Sequence, residues 1–218
     1  MLEPGWHTYW RAPGGTGIPP RFDWAGSANL AGIGFEWPKP AVFETFGMRT
    51  IGYHGGLVLP VRLRPERPGA PIELRLGIEF GVCKDICIPA EAALSGSFDS
   101  RPGPAEGRAL IEAVLARRAY RAGEAGVEAV ECRAERNGRG HRLTASVALA
   151  APPGREQVAV IEAASADIWI GEASARTEGA TVTAVAELSG GLPESSTLRI
   201  TLIDEDRAID IEGCAEPR

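Results

Sequence analysis

The sequence lacks the features that mark several classes of protein. Its 218 residues include four cysteines, three histidines and two methionines, and lysine occurs only at Lys39 and Lys84. No apolar run approaches the roughly 20 residues that span a bilayer, and no charged-then-apolar signal peptide opens the chain. The abrupt start, MLEPGWHTYW, resembles a strand whose beginning has been removed. We therefore expect a soluble fragment of a longer protein.

Charge and motif content argue against several activities. The 29 acidic and 23 basic residues give a net charge of −6, with no basic stripe, so nucleic acid is not an expected partner. His7, His54 and His141 are scattered without a Ser–His–Asp pattern, so hydrolysis is not expected, and each is interpreted as a surface or packing residue. The GGTG and GGLP segments lack the strand–loop–helix context of a phosphate-binding loop, so no nucleotide cofactor is expected.

Composition changes near residue 100. Among the aromatic residues, only Tyr120 and Trp169 lie beyond Phe98. Residues 100–104, SRPGP, form a Pro/Gly stretch suited to a linker. We predict two domains, 1–103 and 104–218.

Hydrophobic periodicity predicts a mainly β protein. In IELRLGIEF, residues 72–80, apolar residues alternate with polar ones as in a half-buried strand, and Gly/Pro turns separate several such runs. One amphipathic helix is predicted over residues 104–120. Five more strand-like runs follow it: HRLTASVAL, QVAVIEA, ATVTAVAEL, STLRITLID and AIDIEGC. The predicted fold is two immunoglobulin-like antiparallel β-sandwich domains with one linking helix.

Cys83 and Cys87, in FGVCKDICIP, flank three residues between two strand-like runs. Facing residues of an antiparallel pair lie about 4.5 or 5.5 Å apart at Cα, which suits the roughly 4.4–6.8 Å of a disulfide. A hairpin tip can therefore close this ring. So small a loop stabilises the fold little, and the turn lacks the usual glycine, so strain would ease reduction of the bond.

The residue chemistry alone leaves three interpretations of this pair open. A redox pair is favoured over an inert disulfide and over a Cu(I) or zinc site to which Met48 and His54 could add ligands. A redox pair would pass electrons to an oxidised thioredoxin-fold protein, whereas a copper-binding sandwich would retain Cu(I) stoichiometrically. A structural module of tandem sandwiches would do neither.

Cys132 and Cys214 enclose more than 80 residues. A bridge between them would stabilise the fold by about 4 kcal/mol by constraining the unfolded chain. We predict a structural disulfide, which agrees with an oxidising compartment.

Several ordered motifs resemble one family. The strings GWHTYWRAPGGTGIPPRFDW, WPKPAVFETFG, IGYHGGLVLPV and CKDICIPAEA, within residues 4–95, are similar to the periplasmic N-terminal region of the DsbD family of disulfide reductases, in particular its copper-tolerance-linked ScsB branch. The tail LRITLIDEDRAIDIE resembles the family more weakly. The resemblance implies an immunoglobulin-like domain with exchanging cysteines on a hairpin, matching Cys83 and Cys87, and a protein-disulfide reductase activity that needs no cofactor or metal.

The resemblance also implies roles for the two cysteines. Cys87 would exchange with partners through a mixed disulfide, and Cys83 would resolve it. The better-known family member separates its cysteines by more residues, so the hairpin tip here is shorter.

Shielding of the pair is a further implication. The family covers its cysteines with a cap loop bearing an aromatic ring, which resembles AVFETFG, so Phe43, Glu44 and Phe46 are cap candidates. Tyr9 corresponds to family tyrosines beside the cysteines. Alternation puts His7 on the same face as Tyr9 without telling which face of the strand looks at the pair.

The family's partners follow from the same resemblance. Reducing equivalents would come through membrane and thioredoxin-like domains of the same polypeptide and pass to a periplasmic thioredoxin-fold protein, ScsC-like or DsbC-like. The expected location is the periplasm, as part of an inner-membrane protein.

Overall fold

The computed structural model describes residues 2–15, 17–99, 107–138, 140–155 and 157–215. The chain forms two compact units, Met1–Arg118 and Ala119–Arg218. The predicted linker at 100–104 lies outside the described residues. The predicted boundary at 103–104 differs from the observed one, because the segment after the helix returns to the first unit, where the Lys39 N–H donates to the Arg117 carbonyl.

The first unit contains eight strands and one helix within its described residues. They are β1 (His7–Tyr9), β2 (Arg21–Asp23), β3 (Gly32–Phe35), β4 (Ala41–Thr45), β5 (Met48–His54), β6 (Val61–Arg64), β7 (Ile72–Cys83), β8 (Cys87–Phe98) and α1 (Arg108–Leu115). The helix is shorter than the predicted 104–120. Residues 104–106 lie outside the described residues, and turns follow its last residue.

Antiparallel pairing builds the first unit around β7. One edge of β7 pairs with β8 along its whole length, and the other edge pairs with β2 and then with β1. Beyond β1 follow β5 and β4, while β3 and β6 form a separate two-stranded sheet. The core contains packed aromatic rings, among them Phe22 against Phe35 at 4.6 Å and Trp37 stacked on Tyr53 at 6.4 Å between centroids.

The second unit is a two-sheet β-sandwich. Its strands are β9 (Tyr120–Arg121), β10 (Val127–Asn137), β11 (Gly140–Leu149), β12 (Val158–Ala163), β13 (Trp169–Ile170), β14 (Ser174–Glu178), β15 (Thr181–Ser189), β16 (Leu198–Ile203) and β17 (Ala208–Glu212). One sheet contains β10, β11, β15, β13 and β14, and the other contains β12, β16, β17 and β9. The short pair β9–β17 is parallel, unlike the antiparallel pairing predicted throughout.

Strands with alternating buried and more exposed residues form the core of the second unit. Along β11 the inward residues Leu143, Ala145, Val147 and Leu149 are buried while their neighbours face outward, which is the period of two that a half-buried strand requires. β15 follows the same pattern. The mainly β, sandwich character predicted from the sequence is therefore confirmed. No helix in the described part of the chain is long and apolar enough to cross a membrane.

Candidate functional site

The hairpin of β7 and β8 carries Cys83 and Cys87 at its tip. The two strands stay in register from Ile72 opposite Phe98 to Cys83 opposite Cys87, so the cysteines are the last facing pair before the turn. A disulfide joins them, with Cα atoms 4.1 Å apart. Cys83 is fully buried, whereas Cys87 is exposed. Of the two cysteines, only Cys87 is thus accessible to a second protein.

Tyr9 on β1 lies against this disulfide. Its hydroxyl donates a hydrogen bond of 2.8 Å to Sγ of Cys83 and lies 3.3 Å from Sγ of Cys87. Tyr9 is itself 2 % exposed, and burial raises the pKa of its hydroxyl. The phenol therefore stays protonated near neutral pH and can act as a donor to sulfur.

Glycines leave the room that the Tyr9 ring occupies. A Cβ at Gly81 would lie 3.1 Å from Cε2 of Tyr9 and 2.8 Å from Cβ of Ile18. A Cβ at Gly17 would lie 2.8 Å from Cδ1 of the same ring and 2.1 Å from Cβ of Pro13. All four distances are shorter than ordinary carbon contacts, so a larger residue at position 17 or 81 would displace the Tyr9 ring or its neighbours.

His7 lies next to the buried cysteine. In the register of β1 and β7, His7 faces Cys83, and in the register of β1 and β5 it faces His54. Its ring centroid lies 5.4 Å from that of Tyr9 and 5.0 Å from that of Phe43. His7 is 4 % exposed, and burial, followed by the charge of His54, lowers its pKa.

The predicted cap segment forms the hairpin of β4 and β5. Phe46 and Gly47 both have positive φ, 53° and 74°, as the two central residues of a type I′ turn require. Phe46 is 67 % exposed at this tip. Phe43 lies on the two histidines, with its ring centroid 4.2 Å from that of His54. Glu44 is exposed on β4.

The other two cysteines lie in the second unit. A disulfide joins Cys132 on β10 to Cys214, which follows β17, with Cα atoms 5.7 Å apart. Cys132 is 4 % exposed and belongs to the hydrophobic core of that unit.

Metal binding finds little support in the side chains. Within the described ranges, no group of three or more His, Cys, Asp and Glu side chains is arranged to hold a metal ion.

These features define a class: an immunoglobulin-like domain with a half-exposed disulfide at a hairpin tip. Residues 1–98 match the family model of the thiol:disulfide interchange protein DsbD, N-terminal domain. This match confirms the resemblance of the motifs within residues 4–95 to the DsbD N-terminal region, and it ends at the last residue of β8. Domains of this family carry a redox-active cysteine pair, exchange disulfides with thioredoxin-like proteins and are in general periplasmic. Searches of curated proteins and of solved structures found no match.

The sequence interpretation missed one neighbour of the site. The sequence predicts a surface or packing role for His7, whereas its strand position places it beside Cys83. The alternation that puts His7 and Tyr9 on one face was the available signal, since a tyrosine beside the cysteines brings the histidine with it.

Proposed function

We propose that the first unit transfers reducing equivalents by thiol–disulfide exchange through Cys83 and Cys87, with Cys87 as the sulfur that partners attack. The observation that carries this proposal is the difference in exposure, because Cys83 is 0 % exposed and Cys87 faces solvent. Exchange requires access of a thiolate to the attacked sulfur, and only Cys87 offers it.

The reaction runs in two steps. The Cys87 thiolate of the reduced pair attacks a partner disulfide, forms a mixed disulfide and expels one partner thiolate. Cys83 then loses its proton and attacks Sγ of Cys87, so that the Cys83–Cys87 bond forms, the mixed disulfide breaks and the second partner sulfur leaves as a thiolate. Two electrons pass to the partner, and this pair is oxidised.

Tyr9 supports the same chemistry run in reverse. When a donor thiolate attacks Cys87, the electron pair of the broken bond goes to Cys83, which becomes a buried thiolate. The Tyr9 hydroxyl lies 2.8 Å from that sulfur and donates toward it. A hydrogen bond to a charged group is worth about 1.5–3 kcal/mol, so it stabilises the departing thiolate.

The partner in this proposal is a thioredoxin-fold protein of the periplasm, ScsC-like or DsbC-like. The electrons would come from membrane and thioredoxin-like domains of the same polypeptide. Support comes from the family match of residues 1–98. In the same proposal, the hairpin tip with Phe46, together with Phe43 and Glu44, shields the pair until the partner docks.

The experiment mixes single-cysteine variants with an oxidised thioredoxin-fold protein that has a Cys-x-x-Cys pair. Reduced Cys83→Ala should form a mixed disulfide seen as a mass shift under non-reducing conditions, because Cys87 attacks and nothing resolves the product. Cys87→Ala should form none, since its remaining thiol is buried. The proposal fails if Cys87→Ala is the variant that traps the protein, or if the reduced wild-type chain transfers no electrons.

A matched control separates the two disulfides. Joint replacement of Cys132 and Cys214 by alanine should leave trapping by the Cys83→Ala chain unchanged, because the second disulfide lies in the other unit. Retention of one Cu(I) per reduced wild-type chain against a strong chelator, without electron transfer, would instead favour the copper hypothesis.

A further inference from the structure

Four residues form one row across four neighbouring strands. Cys87 faces Cys83 between β8 and β7, Cys83 faces His7 between β7 and β1, and His7 faces His54 between β1 and β5. Facing residues of antiparallel strands project to the same side of a sheet, with Cβ atoms about 4.5–5.5 Å apart. The side chain of His7 therefore projects beside Cys83, on the side opposite to Cys87.

One ring nitrogen of His7 has no hydrogen-bond partner among the described residues. This atom, Nε2, is buried. A buried polar atom left without a partner costs about 1–3 kcal/mol, so its retention calls for an explanation such as a redox or catalytic role. The ring of Phe43 covers the histidine and adds no polar atom.

We propose that His7 is the proton acceptor for Cys83 in the resolving step, an inference that rests on the proposed exchange function. In the mixed disulfide, Cys83 is a buried thiol and must lose its proton before it can attack. The proton passes to His7, the thiolate attacks Sγ of Cys87, and the partner sulfur leaves with the electron pair. The imidazolium then returns the proton to the departing thiolate or to water.

The other groups around His7 do not supply this acceptor. Tyr9, on the same strand, donates its proton toward the sulfurs, and burial keeps its hydroxyl protonated. His54 on β5 lies one strand farther from Cys83 and is exposed. From β4, the group against His7 is the apolar ring of Phe43. The lowered pKa of His7 keeps it neutral, and so able to accept a proton, near pH 7.

The test follows the two steps separately with an aromatic disulfide, 5,5′-dithiobis(2-nitrobenzoate), at one equivalent per chain reduced at Cys83 and Cys87. Attack by Cys87 releases a first coloured thiolate, and resolution by Cys83 releases a second. In His7→Gln, the second phase should slow about 100-fold at pH 7, a typical loss for a general base. The first phase should change by less than about twofold. The deficit should shrink above pH 8.5, the usual thiol pKa, where unassisted thiolate forms.

His141→Gln is the matched control, because it removes an imidazole on β11 of the second unit and should leave both phases unchanged. In His7→Ala, added imidazole should restore the second phase in a concentration-dependent manner, a readout that a purely structural role would not move. This variant carries the test if His7→Gln does not fold. An unaltered second phase and pH profile in folded His7→Gln, or no response of folded His7→Ala to imidazole, would overturn the inference. Loss of the first phase in the wild type would refute the proposed exchange function instead.

Discussion

The hydroxyl of Tyr9 donates a hydrogen bond of 2.8 Å to Sγ of Cys83, a residue 74 positions along the chain. The contact exists because β1 pairs with the end of β7 and because Gly81 leaves space for the ring. It joins the first strand of the unit to the sulfur that must carry negative charge during exchange. Removing the Tyr9 hydroxyl therefore tests directly whether this hydrogen bond stabilises the Cys83 thiolate.

Tyr9→Phe should slow reduction of the Cys83–Cys87 disulfide by a small thiol about 10- to 100-fold, because the departing Cys83 thiolate loses a hydrogen bond worth about 1.5–3 kcal/mol. Stopped-flow reduction by dithiothreitol measures this rate. Tyr53→Phe is the matched control, since that hydroxyl donates to the Pro38 carbonyl at 2.9 Å instead. Equal slowing in both variants would show that the effect is structural.

Gly17→Ala should destabilise the first unit by about 1–3 kcal/mol, the usual cost of overpacking, because its Cβ would overlap Pro13 and the ring of Tyr9. Gly15→Ala provides the control, since a Cβ there meets nothing within 4 Å. Urea unfolding followed by tryptophan fluorescence measures both. A Gly17→Ala chain as stable as Gly15→Ala would mean that the loop over Tyr9 moves aside freely.

Removal of the aromatic ring at the β4–β5 tip tests the proposed cap. Phe46→Ala should let glutathione reduce the Cys83–Cys87 bond several-fold faster, since shielding would be lost. Phe46 is 67 % exposed, so the substitution should change stability by less than about 0.5 kcal/mol. Leu192→Ala, another exposed apolar residue but in the second unit, is the control. Unchanged reduction of Phe46→Ala would remove this ring from the cap.

Local patterns were enough to predict much of the architecture. Alternation predicted β7, β11 and β15, because each buries one face and exposes the other. It did not predict β10, whose sequence VEAVECRAERN is rich in charge, because this edge strand buries little beyond Cys132. Burial of one face is the source of the signal, so a strand that stays exposed gives none.

The site was harder to predict than the strands. The spacing of Cys83 and Cys87 was enough to predict the hairpin tip, because two facing residues with three residues between them need only a turn. His7 lies beside Cys83 only because β1 pairs with β7, and these two strands are far apart in the sequence. No local pattern specifies that pairing, and the sequence therefore left open which face of β1 meets the disulfide.

Replacement of both Cys132 and Cys214 by alanine should destabilise the second unit by about 4 kcal/mol, because the bridge closes a segment with a sequence separation of 82. Thermal unfolding under non-reducing conditions measures the loss. The matched pair is Cys83 and Cys87, whose separation is 4, so their joint replacement should cost far less. A larger loss from the hairpin pair would contradict the division into one structural and one exchanging disulfide.

Asp204 should make the second unit pH-sensitive. Burial opposes its charge, but hydrogen bonds more than offset this and lower its pKa: Oδ1 accepts from the backbone of Asp206 and Arg207, and Oδ2 accepts from the Gly154 backbone and the Gln157 side chain. A lowered folded-state pKa contributes stability that is present above the unfolded value of 3.8 and is lost as pH falls through the folded-state pKa.

Asp204→Asn can replace only one of the two acceptors and should cost about 1–3 kcal/mol at pH 7. The cost should shrink below about pH 4 as the wild-type carboxylate protonates. Urea unfolding at pH 7 and pH 3 measures this cost. Asp206→Asn is the control, because only the backbone of that residue donates to Asp204. If the difference in unfolding free energy between Asp204→Asn and wild type does not change with pH, the shape of the side chain and not its charge stabilises this loop.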